Sequence, residues 1–511
     1  MRNQVPSLRR SRRPGLARTS AFSGGAFSPI QLPGLLAWYR ADSYTDVLGA
    51  SLASASSQSL SAAGQTWTDG LTKLSFCCTF RLTTLVANLG ICGKWAYQTQ
   101  GQFAIQTHDV GAGVIKLKMW VASAIDEDGS NFAVGSTALA LGELYKLVVV
   151  YDGSLAAGSR LQFYLNGAAE TMSVAGGGTL PASMTTSTAA LTIGQAFTGS
   201  LTRYFNGTLA RFGWWPTIAL TSGDASLLHR TYQGTSHAQL GGTALSAQPT
   251  RWHELSEASG NRADLIGAAT MVPANTPGNA TVAINWTDLS GNGFTGTWRH
   301  TLPTVSTIGS SVAFLIPQGV SPSKCYCDIG LPAGASKPNN WAVYAVGQSP
   351  DVTQNFQWLH ASYPSGAVDD KNSWGTLLAR DTYGTNGSVC ATYGNDTNYS
   401  LGESATGLIT NGTPFRFNSS YTAGNTLATA RLDGAAISMT ETEGPGVNHP
   451  ATACSGTAYA SWIGNVDQDA YVSAAAHRIG EIILYGGGVT TVHSAIQAQK
   501  VEAYQKRFFG L

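Results

Sequence analysis

The chain has 511 residues, enough for two or three domains with full cores, and 43% of them are hydrophobic, which excludes a disordered chain. Charged residues make up 12%, about half the ~25% usual for soluble domains, and together with 59 glycines this composition points to turn-rich all-β structure. A formal net charge of +1 excludes a bulk attraction for nucleic acid or acidic membranes, and no apolar run approaches the ~20 residues of a membrane span.

Residues Met1–Ile30 differ from everything after them. They carry Arg2, Arg9, Arg10, Arg12, Arg13 and Arg18, with no acidic residue before Asp42. SRRPGLA (Ser11–Ala17) is similar to a twin-arginine export signal, but no continuous apolar region follows it, so export is rejected. Composition alone also describes a solvated tail. The preferred reading is an extended arm whose arginines meet carboxylates on a neighbouring subunit. Nucleic acid is disfavoured as the arm's partner, because the aromatic interleaving of single-strand binders is missing.

LPGLLAWYRADS (Leu32–Ser43) reads as a strand in which Leu35, Leu36 and Trp38 pack while Arg40 and Asp42 face out or pair. LSFCCTFRL (Leu74–Leu82), FAIQTHD (Phe103–Asp109) and VIKLKMWVAS (Val114–Ser123) are further strands, followed by an acidic loop, AIDEDGSNF (Ala124–Phe132). Next come YKLVVVYDGS (Tyr145–Ser154), RLQFYLNGAAETM (Arg160–Met172), LTIGQA (Leu191–Ala196) and FNGTLARFGWW (Phe205–Trp215), each a β-branched or aromatic run bounded by turn residues. Leu161, Phe163 and Leu165 alternate with polar positions, so one face packs inward, and Asn166-Gly167 makes a hairpin turn.

The same order returns near the C-terminus. TLATARLDGAAISMT (Thr426–Thr440) answers Arg160–Met172, with Asp433-Gly434 as its turn; SWIGNV (Ser461–Val466) answers LTIGQA; HRIGEIILYGG (His477–Gly487) answers FNGTLARFGWW. A helix-like segment follows each copy, at Ser222–Tyr232 and at Val492–Phe508, the second with Ile496, Val501, Tyr504 and Phe508 on its apolar side. WAVYAVGQ (Trp341–Gln348) and FQWLHAS (Phe356–Ser362) add strands to this second copy. Two matched sets in one order imply two copies of one β-sandwich module.

This order of motifs resembles the laminin-G-like, concanavalin A-like lectin jelly roll. LPGLLAWYRADS and NWTDLSGNGFTG (Asn285–Gly296) look like opening signatures of such domains in bacteriophage and bacterial surface proteins, and ASLASASSQSL (Ala50–Leu60) and RWHELSEASGNRADL (Arg251–Leu265) resemble recurrent pieces of phage-encoded copies. The fold class this implies is all-β: two antiparallel jelly-roll (concanavalin A-like) β-sandwiches, an extended N-terminal arm and a short C-terminal helix. In the resembled proteins the two opening signatures lie close together, whereas here they are far apart. The preferred organisation is therefore nested: an arm, 1–30; an outer sandwich, 31–43 plus 284–511; and an inner sandwich, 44–283. Tandem sandwiches at 31–245 and 250–511 are the alternative.

The fold carries lectins, enzymes and scaffolds alike, so function rests on particular residues. The paired carboxylates of concanavalin-like glucanases are missing; Asp126/Asp128 and Glu254/Glu257 are the nearest pairs and read as solvated loop acids. No catalytic residue is assigned, and WTDLSGNGFTGTW is a turn. Asp126, Asp128 and Asn131 make a weak Ca²⁺ candidate, with a plain acidic loop favoured; no other cofactor is expected. Cys77, Cys78, Cys92, Cys325, Cys327, Cys390 and Cys454 read as buried free thiols rather than a zinc site or a disulfide framework. Trp214, Trp215, Trp358, Tyr363 and Trp374 are the candidates for stacking on a glycan, against core packing as the more common use of such rings. The expectation is a non-enzymatic phage virion protein, assembled in the host cytoplasm as a multi-copy or homo-oligomeric component: a capsid decoration, fibre or tail-associated protein. Its arm would dock on capsid, portal, tail or fibre subunits, and host surface glycans are a further possible partner. A carbohydrate-binding adhesin and a polysaccharide-degrading enzyme are the alternatives.

Overall fold

The computed structural model describes residues 27–122, 131–175, 179–231, 245–294, 296–300, 302–317, 325–329, 331, 340–351, 357–364, 374–378, 388–394, 399–422, 428–443, 459–464, 476–486 and 493–511. The Met1–Ile30 arginines, Asp126, Asp128 and Cys454 lie outside them. Among the described residues the structure is antiparallel β with two helices, α1 (Ser222–Thr231) and α2 (Ala495–Phe509). No helix among them is long and apolar enough to cross a membrane.

The first sandwich has two layers. One is an eight-stranded sheet, in the order Ser173–Ala175, Phe132–Val134, Ile115–Val121, Gln100–Asp109, Gly90–Ala96, Leu191–Ile193, Ser59–Ala62 and Val272–Ala274. The other runs from Arg251–His253 through Gly207–Pro216, Lys73–Leu82 and Leu144–Asp152 to Leu161–Leu165. Phe76, Phe103, Ile105, Met119, Val149, Phe163 and Trp214 fill the space between the layers. Leu161, Phe163 and Leu165 are buried as their alternation requires, and Asn166 (φ 51) and Gly167 (φ 85) form the left-handed turn.

In the second sandwich, Trp341–Gln348 pairs with Pro414–Tyr421 on one side and His477–Tyr485 on the other. Facing them are Gly296–His300, Cys325–Asp328, Tyr459–Gly464, Gln357–Pro364, Trp374–Leu378, Val389–Gly394 and Tyr399–Ser404, each hydrogen-bonded to the next. Trp286, Trp298, Phe314, Trp341, Val343 and Phe417 lie in its core. Asp433 (φ 50) and Gly434 (φ 91) repeat the Asn166-Gly167 turn. Cys77, Cys78, Cys92, Cys325, Cys327 and Cys390 are free and buried.

One strand serves both sandwiches. Leu35–Leu52 runs unbroken past Ser43; its first part pairs with His477–Tyr485 (Trp38 beside Ile483) and its end with Gly207–Pro216 (Ala50 beside Leu209). Gly278–Asp288 lies antiparallel to it along nearly its whole length, from Tyr39/Asp288 to Ser51/Gly278. Gly49 is needed in this crossing, since a Cβ there would stand 2.4 Å from the Leu209 carbonyl oxygen. The turn after Gly278–Asp288 locks the start of the strand: Asp288 Oδ1 accepts from the Trp38 N–H at 3.0 Å and Asn292 Nδ2 donates to the Leu35 and Leu36 carbonyls. Arg40 and Asp42 pair at 2.6 Å. Across the junction, Arg299 donates to the Leu144 carbonyl at 3.0 Å and Arg81 to the Val282 carbonyl at 3.0 Å.

Helix α2 differs in detail from the expected face. Val501, Tyr504 and Phe509 are buried, but Ile496 is 67% exposed. The first turn, capped by Ser494, leaves Ile496 in solvent, and Phe509 packs instead, with Ile308, Ala313 and Val346.

Candidate functional site

The strand Ile115–Val121 has two chemically different faces. Ile115, Leu117, Met119 and Val121 enter the core, so Lys116, Lys118 and Trp120 must point away from it. Register then places Trp120 between Ala104 and Phe132, Lys118 beside Gln106, and Lys116 beside His108. The small Ala104 leaves room over which the rings spread. Trp120 meets Phe132 at 6.0 Å and Phe197 at 5.3 Å between centroids, and Phe197 also touches Trp95 and Tyr97.

Cations are set among these rings. Lys118 Nζ lies 3.7 Å from the Phe132 centroid and 4.2 Å from that of Trp120, and the Arg203 guanidinium is 6.0 Å from Phe197. Such contacts hold an ammonium by attraction to the ring faces. Burial, and then the charge of Arg203, push Lys118 down to about 8. His108 is lowered chiefly by burial and next by Lys118. Gln106 Nε2 donates to Asn88 Oδ1 at 2.8 Å, whereas buried Gln106 Oε1 and Arg203 Nε make no hydrogen bond among the described residues. Buried polar atoms without partners are uncommon and mark places where a ligand or water completes the set. The patch thus combines half-exposed aromatic faces, positive charge and unsatisfied polar groups.

The residues expected from sequence fall elsewhere. Trp214 and Trp215 are 0% exposed, which corrects their assignment to glycan contact. Trp214 packs against Phe76 (ring centroids 5.0 Å apart) inside the first sandwich, and Trp215 faces the opposite way, under α1, donating Nε1 to the Ala247 carbonyl at 2.9 Å. Consecutive strand residues point to opposite faces, and here both faces of Gly207–Pro216 are covered. The backbones of Trp358 and Tyr363 lie in Gln357–Pro364 and that of Trp374 opens Trp374–Leu378, where Trp374 pairs with Ser362; their side chains lie outside the described residues. Asn131 is half-buried, and its carbonyl accepts from the Val121 N–H; its partners in the Ca²⁺ candidate are not described. Among the described residues, no group of three or more His, Cys, Asp or Glu could hold a metal ion. Glu254 sits 3.4 Å from Arg211 and Glu257 3.9 Å from Arg262, so these acids belong to ion pairs. Sequence reading missed Lys118, Trp120, Phe132, Phe197 and Arg203. The Lys116-Lys118-Trp120 alternation was the available signal; Phe197 and Arg203 arrive from a distant loop.

Residues 55–226 match a family model described as the concanavalin A-like lectin/glucanases superfamily, Laminin_G_3. No curated protein matches the sequence. Among solved structures, the chain is similar to a protein from Bacteroides ovatus described as carbohydrate binding, with 15% identity and TM-score 0.33, covering 46% of this chain and 60% of that one. Domain 4 of an extracellular arabinanase from Geobacillus stearothermophilus, in complex with arabinotriose, shows 16% identity and TM-score 0.29 over 42% of this chain and 92% of that one. The LG4-5 domains of mouse laminin α1 show 9% identity and TM-score 0.24 over 91% of this chain and 100% of that one. The family match over residues 55–226 bears out the laminin-G-like, concanavalin A-like resemblance, and the antiparallel sheets bear out the all-β sandwich class.

Proposed function

We propose that this protein is a non-enzymatic, lectin-like component of a bacteriophage particle that turns the outer face of its eight-stranded sheet toward an acidic glycan of the host surface. The observation that carries the reading is Lys118 held between the rings of Phe132 and Trp120, beside the unsatisfied Gln106 Oε1 and Arg203 Nε. A sugar ring stacked on Trp120 would meet donors and acceptors at its hydroxyls, and its carboxylate would meet Lys118 and Arg203. Nothing in this binding calls on Ca²⁺.

The particle assignment is supported by the resemblance of Leu32–Ser43 and Asn285–Gly296 to phage-encoded openings and by the arginines of Met1–Ile30. We also take the chain to be one sandwich inserted into another. The contacts of Trp38 with Asp288, 250 residues apart, and the shared strand Leu35–Leu52 support that organisation. Two sandwiches joined by a paired ribbon keep a fixed relative position, which suits display on a shell.

A glycan array tests the binding half. Acidic glycans should bind saturably, and Trp120→Ala should weaken them about tenfold, in line with the ~1–3 kcal/mol expected of a stacked ring and its charged neighbours. A chelator should change nothing. Uniform loss of signal for wild type, or an unaltered Trp120→Ala, sinks this half. Quantitative mass spectrometry of purified particles tests the other half, and absence from particles with presence on cells would favour a cell-surface adhesin.

A further inference from the structure

Positive charge is unevenly compensated in the first sandwich. Lys73, Lys94, Arg211, Arg251 and Arg262 each have a carboxylate at 2.5–3.9 Å, supplied by Asp152, Asp69, Glu254, Asp264 and Glu257 in that order. Lys116, Lys118 and Arg203 have no ion pair among the described residues. Yet Lys118 is buried, and Lys116 and Arg203 are half-buried. Charges drawn out of water normally keep a counter-ion.

The sheet sets these groups in a row. Ile115–Val121 lies beside Gln100–Asp109 with no register shift, so Lys116, Lys118 and Trp120 follow one another at every second residue on one face. At ~3.4 Å per residue, neighbours in this row stand about 7 Å apart and the whole row covers about 14 Å, more than a single sugar ring occupies. His108 pairs with Lys116, and its ring lies 6.4 Å from that of Phe132, which meets Lys118 Nζ at 3.7 Å. Arg203 and Phe197 flank the row at the Trp120 end. Asp109 follows His108 on its strand and so turns the other way, its carboxylate accepting from the Gly111 N–H at 2.8 Å.

The cations of the row repel one another. After burial, the charge of Arg203 lowers Lys118, and after burial that of Lys118 lowers His108. One anion would relieve one end of the row; anions at intervals along it would relieve both. The rings do not form a series of parallel platforms of the kind single-stranded nucleic acid stacks on. Trp120 meets Phe132 and Phe197, and Phe197 meets Trp95 and Tyr97, at interplanar angles of 56–87°.

We infer that this face binds a polymer, an acidic polysaccharide with carboxylates on successive sugars, laid along Ile115–Val121. The inference rests on the acidic-glycan reading above and adds the ligand's length and direction. One sugar stacks on Trp120 with its carboxylate at Lys118 and Arg203, and a following sugar brings a second carboxylate to Lys116, beside His108.

Monomers and tetramers of galacturonate and of α2,8-linked sialate, titrated into the full-length protein at two ionic strengths by calorimetry and ligand-observed NMR, test this. The tetramer of at least one acid should bind at least about tenfold more tightly than its monomer, and should lose more affinity to added salt. Lys116→Gln should weaken that tetramer at least about threefold and leave the monomer unchanged, while Trp120→Ala should weaken both. A monomer as tight as its tetramer, wild-type tetramer affinity in Lys116→Gln, or tighter binding of tetrathymidylate than of either acidic tetramer would each overturn the inference. The first two results leave the acidic-glycan reading in place. No binding of any acidic glycan removes both.

Discussion

The two sandwiches close with a helix over the same face of the same sheet, yet they hold it by different means. Helix α2 is tied to its sheet by charge and by buried hydrogen bonds. Arg431 pairs with Glu502 at 2.7 Å, and Glu481 accepts from Trp38 Nε1 (2.8 Å), Tyr504 Oη (3.0 Å) and Gln505 Nε2 (3.0 Å). Helix α1 has Lys146 on its far carbonyl, and at its start Asp224 accepts from Thr221 and Ser246. Its underside is otherwise apolar, around Leu220, Ala225 and Leu228. A sheet face can thus retain a covering helix either by satisfying polar groups or by burying hydrocarbon.

The largest effect should come from breaking the polar solution. Glu502→Leu removes the partner of Arg431, 16% exposed at its side chain, and should cost about 3–5 kcal/mol in denaturant unfolding, the usual result of stranding a charge in a protein interior. A loss under about 1 kcal/mol would mean that hydrocarbon holds both helices.

Glu481 sharpens the contrast through pH. It is fully buried, and burial pushes its carboxyl from 4.5 up to about 7 against the lowering effect of its three donors and of Arg40. The folded state therefore keeps a proton that the unfolded chain has already lost. The resulting stability is complete below pH 4.5 and disappears as pH rises through 7, a change on the order of 3 kcal/mol. The neutral carboxyl fits its site, because the Gln505 amide can turn its buried Oε1, which has no partner among the described residues, toward a proton on Glu481. Unfolding free energies at pH 5 and pH 8 should show the slope, and Glu481→Gln should flatten it. A slope unchanged in the variant would assign it to other groups.

Lys146→Met should behave unlike either change. It replaces a buried cation by hydrocarbon of similar length, so stability should shift by less than about 1 kcal/mol or increase. The smallest effect belongs to the turns. Asn166 and Asp433 share the left-handed conformation and the same bond to the strand backbone, and exchanging them as Asn166→Asp with Asp433→Asn should stay within about 0.5 kcal/mol.

What the sequence by itself determined about this protein is the part governed by local physics. Alternation in Leu161–Leu165 and β-branched runs such as LVVV name strands, and Asn-Gly and Asp-Gly demand the left-handed turns found at 166–167 and 433–434. The repetition of this order marks two copies, and two helical segments follow them within a few residues of α1 and α2. The tertiary structure alone decided which faces see solvent. Period-two alternation divides Trp214 from Trp215 but cannot say that α1 covers the second, and helical spacing cannot say that Ile496 stays in solvent while Phe509 is buried. The aromatic patch could be half read, because Lys116, Lys118 and Trp120 share a strand face, while Phe132, Phe197 and Arg203 join it through pairing and loop packing.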